Sequence, residues 1–379
     1  MAAGGIRSLI SGKSDFELVT EGSQFSYFLQ EFKARPKFQC QMLPFPFEGT
    51  CHYGDTYTQT LPTAGDLLTR IYLKVTLPNI SPSVYATSIG NYLFEYAELM
   101  INRQVIERYY GEFNQLVQEI TVPQIKQPLL SKLSGKDVPD LTGPNTFYIE
   151  IPFSLCERGI PMLAVAPGSF EIRIKYRPSR EFTFPSVNIT DVVNGEFLME
   201  YVYLGPDEAK YFEAKKRTYL VQQTQFYQGT IDTGQTTVSY PLHFIGPVKE
   251  LFFYIKPQQV TKNVFTINTD YLINLQLMLD GYEVISQDIA VPLYLRGVQP
   301  MDFHTRIPTS TIFYIYSFCL DPENMEPTGQ LNFGRIQQQI LNMNLIQTPF
   351  SRYVRVYARS YNIFTTEKGI GKLLFNSNG

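Results

Sequence analysis

Leu67-Leu-Thr-Arg-Ile-Tyr-Leu-Lys-Val-Thr-Leu77 is the stretch that decides the fold. Thr69, Ile71, Leu73, Val75 and Leu77 share one face, and Arg70, Lys74 and Thr76 lie opposite. A period of two marks a strand with one apolar and one polar side, and Pro78 stops it. A parallel sheet would need a continuously apolar strand followed by a helix, and neither is present. The chain is therefore expected to build antiparallel sheets.

The same alternation recurs outward from this stretch. In Ser169-Phe-Glu-Ile-Arg-Ile-Lys-Tyr176, the residues Phe170, Ile172, Ile174 and Tyr176 oppose Glu171, Arg173 and Lys175. Thr146–Ile151 reads as a further strand, and Pro152–Pro161 as a short helical turn in a connection. Gln24–Phe47 is aromatic and strand-like, with Pro44 and Pro46 keeping its end extended or at a sheet edge. Asn91–Arg108 admits two readings. Leu93, Tyr96, Ala97, Met100 and Ile101 have helical spacing, while Glu98–Ile101 followed by Asn102-Arg103 resembles a strand and turn. Ser131–Thr142 reads as a loop. Pro178–Gly195 is rich in turn residues and marks a domain boundary.

Beyond it, Pro206–Arg217 reads as a brief helix, with Pro206 in its first turn and Lys215–Arg217 at its negative end. Strands are expected at 218–226, 238–244, 249–256, 271–279, 311–320 and 352–363. Regular strand-and-turn intervals are the pattern of a sandwich. Both halves thus read as all-β with small helical excursions.

The chain has 379 residues, a length that favours two domains. Only 18% are charged, against about 25% in an average soluble domain, and 14% are aromatic. Much of the surface must therefore be uncharged polar or covered by other protein, which favours an assembly. A net charge of −3 argues against a protein that coats nucleic acid. No apolar run approaches the roughly 18 residues of a membrane span. The amino terminus lacks the apolar core of a secretion signal. A reducing place of synthesis is expected, with Cys40, Cys51, Cys156 and Cys319 as mostly buried thiols. Asn79-Ile-Ser81 and Asn188-Ile-Thr190 are then unused glycosylation patterns.

No catalytic, cofactor or metal-binding spacing is evident. His52, His243 and His304 are far apart, and no HExxH or paired-cysteine pattern accompanies them. Gly369-Ile-Gly-Lys372 lacks the long glycine loop of a phosphate-binding site. The nearest approach to a site is Asp302, His304 and Arg306, which alternate with Phe303 and Thr305 and so are expected on one strand face. A buried salt network at a subunit interface explains them with fewer partners than catalysis does.

Several segments carry a family likeness. They include Asp15–Thr20, Phe25–Phe28, Gly65–Pro78, Ile151–Leu155 and Glu171–Ile174 in the amino half. The carboxyl half adds Tyr201–Leu204, Tyr219–Gln223, Pro247-Val-Lys-Glu-Leu251, Val298-Gln-Pro300 with His304, Tyr316–Leu320, Pro327-Thr-Gly329, Asn332-Phe-Gly-Arg-Ile336 and Tyr357–Ile363. In this order, over nearly the whole chain, they resemble the double jelly-roll major capsid proteins of nucleocytoplasmic large DNA viruses, in the manner of iridoviruses and their relatives. Where that family has Asn-His-Pro before Val-Lys-Glu-Leu, this chain has Ile245-Gly-Pro247.

The resemblance implies an all-β fold of two tandem eight-stranded antiparallel jelly-roll barrels, with short helices in the connections. It implies an amino-terminal base arm at 1–20, a first jelly roll at 21–185 and a second at 186–379. It further implies a non-enzymatic homotrimer with a pseudo-hexagonal outline, tiling an icosahedral shell assembled in host cytoplasm. Expected partners are neighbouring capsomers, minor capsid and penton proteins and an inner viral membrane, with no direct contact to nucleic acid. Ile6, Leu9 and Ile10, in a short helix ended by Gly12, are the expected base contacts; Asp302, His304 and Arg306 are the expected interface network. The alternatives are a minor capsid or scaffold protein of the same fold, or a carbohydrate-binding β-sandwich.

Overall fold

The computed structural model describes residues 37–136, 140–214, 216–265 and 269–375. The chain divides into two units, Met1–Lys37 and Phe38–Gly379, and every described residue but Lys37 lies in the second. The expected helix at Ile6–Ile10, and the aromatic alternation before Arg35, lie outside the described residues.

The amino half supplies eight principal strands: β1 (Phe38–Pro46), β2 (Thr56–Thr60), β3 (Leu67–Leu77), β4 (Phe94–Ile101), β5 (Gln104–Tyr110), β6 (Asn145–Glu150), β7 (Phe170–Tyr176) and β8 (Asn194–Leu204). They form two antiparallel sheets of order β1-β8-β3-β6 and β2-β7-β4-β5. The carboxyl half supplies β9 (Arg217–Ile231), β10 (Thr237–Pro241), β11 (Pro247–Pro257), β12 (Leu272–Leu279), β13 (Tyr282–Ile285), β14 (Tyr314–Ser317), β15 (Gln339–Leu345) and β16 (Arg352–Glu367). Their sheets run β9-β16-β11-β14 and β10-β15-β12-β13. Each half therefore pairs its first strand with its eighth, then its third and sixth, and its second with its seventh, fourth and fifth. Two four-stranded sheets closed in this order make a jelly roll, so the chain is a tandem pair of them.

The alternation of β3 holds from Arg70 to Leu77, while at its start Leu67 and Leu68 are both buried and Thr69 is half-buried. Ile71, Leu73, Val75 and Leu77 are buried, and Arg70 is exposed on the other face. Among the described residues β1 sits at a sheet edge and bonds only to β8, which is where Pro44 and Pro46 cost no ladder hydrogen bond.

Of the two readings of Asn91–Arg108, the strand and turn holds: β4 and β5 form a hairpin, with Asn102 and Arg103 both at positive φ in a two-residue turn. The helical spacing competed with it because both faces of β4 are buried from Ala97 on, so its apolar residues do not alternate cleanly. Two expectations need correcting. Ser131–Thr142 is not all loop, since a helix runs through Ser134. The boundary expected at residue 185 also cuts too early. β8 bonds to β1 on one side and β3 on the other, so the chain returns to the first barrel until Leu204.

The helices that matter most are α1 (Gly111–Thr121), α2 (Gln127–Ser134), α3 (Ser154–Arg158), α4 (Pro206–Ala214) and α5 (Gln299–Phe303). α1 starts directly after β5. Its first residue must be glycine, because a Cβ there would stand 2.2 Å from the Asn91 carbonyl oxygen and 2.7 Å from that of Phe94. The helix leaves its own barrel, and Phe113, Leu116 and Ile120 enter the apolar core of the second. In return Val221, Val264, Phe265, Phe364 and Leu373 from the carboxyl half join the core of the first. Each large apolar side chain so buried contributes about 1.5–3 kcal/mol, so this exchange fastens the barrels together.

Candidate functional site

The seam between the barrels holds a cluster of buried charge. Glu112 lies in the first turn of α1 and is 1% exposed. Lys256 of β11 donates to its Oε1 at 2.7 Å, Arg355 of β16 pairs with its Oε2, and Tyr357 donates to Oε2 at 3.3 Å. Burial, then the charge of nearby Arg177, pushes the Lys256 amine down to about 8. At the far end of α1, Glu119 accepts from the backbone N–H groups of Thr309 at 2.9 Å, Ser310, and Thr311 at 3.1 Å. Burial pushes its carboxyl up, but those donors and Lys136 outweigh it and hold the carboxyl below its ordinary value. One helix of the first barrel is thus pinned at both ends to the second by carboxylates.

Aromatic rings fill the space between. Phe113 packs edge-on against Phe252, with centroids 5.0 Å apart, and stacks on Tyr357 at 4.8 Å. Tyr110 meets Phe226 at 5.1 Å. Beside them Gln223 donates to the Ile106 carbonyl at 2.7 Å, joining β9 to β5. Glu107, fully buried, accepts from the N–H groups of Ser154 at 2.6 Å and Leu155 at 2.8 Å at the start of α3. Burial pushes its carboxyl up to about 7 against the pull of those two donors.

The structure separates the three residues expected to form an interface network. They do not share a strand face, because Asp302 lies in α5 and His304 follows at its carboxyl end. Asp302 is exposed, and Arg306 donates to the Val122 carbonyl at 3.4 Å. Within one copy, Arg306 is therefore not the partner of Asp302. His304 alone enters a buried network, and its partners are others. Its Nε2 lies 3.2 Å from Glu250 Oε2, and its Nδ1 lies 3.2 Å from Glu323 Oε1. Arg359 donates to Glu250 Oε1 at 2.6 Å. Burial pushes Glu250 up, but Arg359 and His304 overcome it and hold the carboxyl at about 2. Neighbouring Lys249 donates to the Pro322 carbonyl at 2.6 Å, and burial, with Arg359, pushes its amine down to about 7. A signal available for this network was the adjacent charge Lys249-Glu250 next to the apolar run Leu251–Ile255 of β11. Ile6, Leu9 and Ile10 lie outside the described residues.

The sequence matches two adjoining family descriptions. Residues 26–205 match "Major capsid protein N-terminus", and residues 208–372 match "Large eukaryotic DNA virus major capsid protein". The two matches meet where β8 ends, and together they span nearly all of the chain. This chain belongs to the major capsid protein family of large eukaryotic DNA viruses. It is 25% identical to the major capsid protein of Pyramimonas orientalis virus, over 99% of this chain and 100% of that protein. It is 22% identical to the major capsid protein of Phaeocystis pouchetii virus over the same shares. Among solved structures, a chain of the PBCV-1 virus capsid superposes with a TM-score of 0.82 at 18% identity, covering 93% of this chain and 100% of that one. The faustovirus major capsid protein superposes with a TM-score of 0.75 at 10% identity, covering 94% of each. The fold is that of double jelly-roll capsid proteins. Every expected segment of likeness except those before residue 37 lies in its described barrels.

Proposed function

We propose that this capsid protein builds the virus shell as a homotrimer, three copies standing about a threefold axis with their six barrels in a pseudo-hexagonal outline. The supporting observation is the repeated strand order of the two barrels together with the α1 key that locks them. Two like barrels held rigidly side by side give near-sixfold packing from one gene, and a symmetry axis then repeats each contact. A hinge between barrels would spoil that geometry, and the charged and aromatic seam opposes one.

Its role is structural, in the capsid of the virion. Neighbouring capsomers, minor capsid and penton proteins are its partners in this reading, with assembly in host cytoplasm and the 1–20 arm toward the inner membrane. Asp302, exposed beside Met301 at 62% exposure, belongs to the surface offered to the next copy. Native mass spectrometry of the purified full chain tests the reading. A complex three times the 43.5 kDa chain mass supports it. A persistent monomer at micromolar concentration counts against it, and a low copy number in purified particles would favour a minor or scaffold role.

A further inference from the structure

Loop 318–330, between β14 and the short strand Leu331–Asn332, is tied down by charge at several points. Glu323 accepts from Thr305 N at 2.8 Å and Thr305 Oγ1 at 2.6 Å, and faces His304 Nδ1. Lys249 of β11 holds the Pro322 carbonyl from below. Glu326 pairs with Arg158 of α3, in the first barrel. Met325 is buried, and its sulfur accepts from Gln222 of β9 at 3.3 Å. The loop therefore spans the two barrels.

The geometry around His304 fixes its protonation. Its side chain has no exposure, and each ring nitrogen lies 3.2 Å from a carboxylate oxygen, Glu250 on one side and Glu323 on the other. The contact to Glu250 is an ion pair only when the ring is protonated, and neither His304 Nε2 nor Glu250 Oε2 has another hydrogen-bond partner. A neutral imidazole carries one N–H, so it would turn a lone pair toward one carboxylate. Only the doubly protonated cation suits both. Its two carboxylates raise the imidazole above its ordinary value, against the opposing effect of burial.

Among the described residues, the charged groups facing this ring are few. β11 contributes Glu250 and Lys249, β16 contributes Arg359, and the loop contributes Glu323, with Asp321 and Glu326 at its exposed surface. Asp302 and Arg306 flank the ring in sequence but are not paired with it. With His304 and Lys249 protonated, three cations face the Glu250–Glu323 pair. Once both have lost their protons, Arg359 stands alone against two carboxylates, and Glu323 has no cation between it and Glu250.

We propose that His304 is a proton-operated pin, holding loop 318–330 across the two barrels when charged and releasing it when neutral. Release unfastens the Arg158–Glu326 corner of the seam and leaves the α1 key in place. The stabilisation is complete below the ordinary imidazole value and is lost as pH rises through the raised value of the folded chain. The latch belongs to a single copy, so its test does not depend on whether copies form trimers.

Backbone hydrogen exchange of the full chain, followed by mass spectrometry, tests the pin in wild type and His304→Gln. Comparison at equal pH cancels the intrinsic pH dependence of exchange. At about pH 6 the variant's loop amides should exchange about tenfold faster than wild type, and at about pH 9 the two should coincide. Exchange of the imidazole C2 hydrogen in wild type supplies a second reading that needs no variant. Its midpoint at His304 should lie above that of a free imidazole and match the midpoint of loop opening. A ring that is neutral at about pH 6, or loop protection that is unchanged across the ring's titration, overturns the proposal.

Discussion

Glu112 shows how one residue at the seam can carry a disproportionate share of stability. It balances Lys256 and Arg355, which are nearly buried, so its removal strands two cations. Glu112→Ala should cost about 3–5 kcal/mol, read as a lowered urea midpoint of the whole chain. Glu250 makes a pH-dependent counterpart. Its carboxyl falls from an ordinary value of 4.5 to about 2 in the folded chain. A depressed carboxyl stabilises fully above its unfolded value, and the gain fades as pH falls through the folded one. The melting temperature should therefore drop between about pH 4.5 and 2, by the equivalent of roughly 3 kcal/mol, and Glu250→Gln should lose that part of the slope. Neither network was fully legible in sequence. Lys249-Glu250 entered only as part of the Pro247–Leu251 segment of family likeness, and His304 was singled out. Arg359 and Glu323 lie 109 and 19 residues away from their partners Glu250 and His304, and only the fold brings them there. Asp302 and Arg306 were grouped with His304 by spacing that holds for a strand, whereas α5 and the turn after it point them elsewhere.

At the scale of elements, α1 decides whether two barrels behave as one body. Phe113 is fully buried against Phe252 and Tyr357. Phe113→Ala should cost about 3–5 kcal/mol, and differential scanning calorimetry should then show the barrels melting closer to independently. A single unshifted transition would contradict the key. Strands such as β3 and β7 could be read directly, because one face is apolar and the other charged. The β4–β5 hairpin could be read only as one of two alternatives, because burial on both faces of β4 removes the alternation that marks a strand. β15 was also missed. Its inward residues Leu341, Met343 and Leu345 alternate with Asn342 and Asn344, whose side chains bond to Gln276 and Asn274 of β12. Asparagine is uncommon in strands and hid the period.

For the whole molecule, the sequence conveyed antiparallel sheets in two halves, and the order of its segments conveyed the family. It misplaced the boundary because turn residues at 178–195 look like a linker, whereas β8 beyond them closes the first barrel by pairing with β1 and β3. At this scale, deleting residues 1–20 should leave trimers intact in solution while impairing lattice formation, as judged by electron microscopy of assembled sheets or shells; normal shells would rule out the base-arm role. The most direct measurement of the central claim is electron microscopy of the purified full chain, averaged in projection. The account predicts a threefold particle with six similar lobes in a hexagonal outline. A two-lobed single chain, or a particle of any other symmetry, would contradict it.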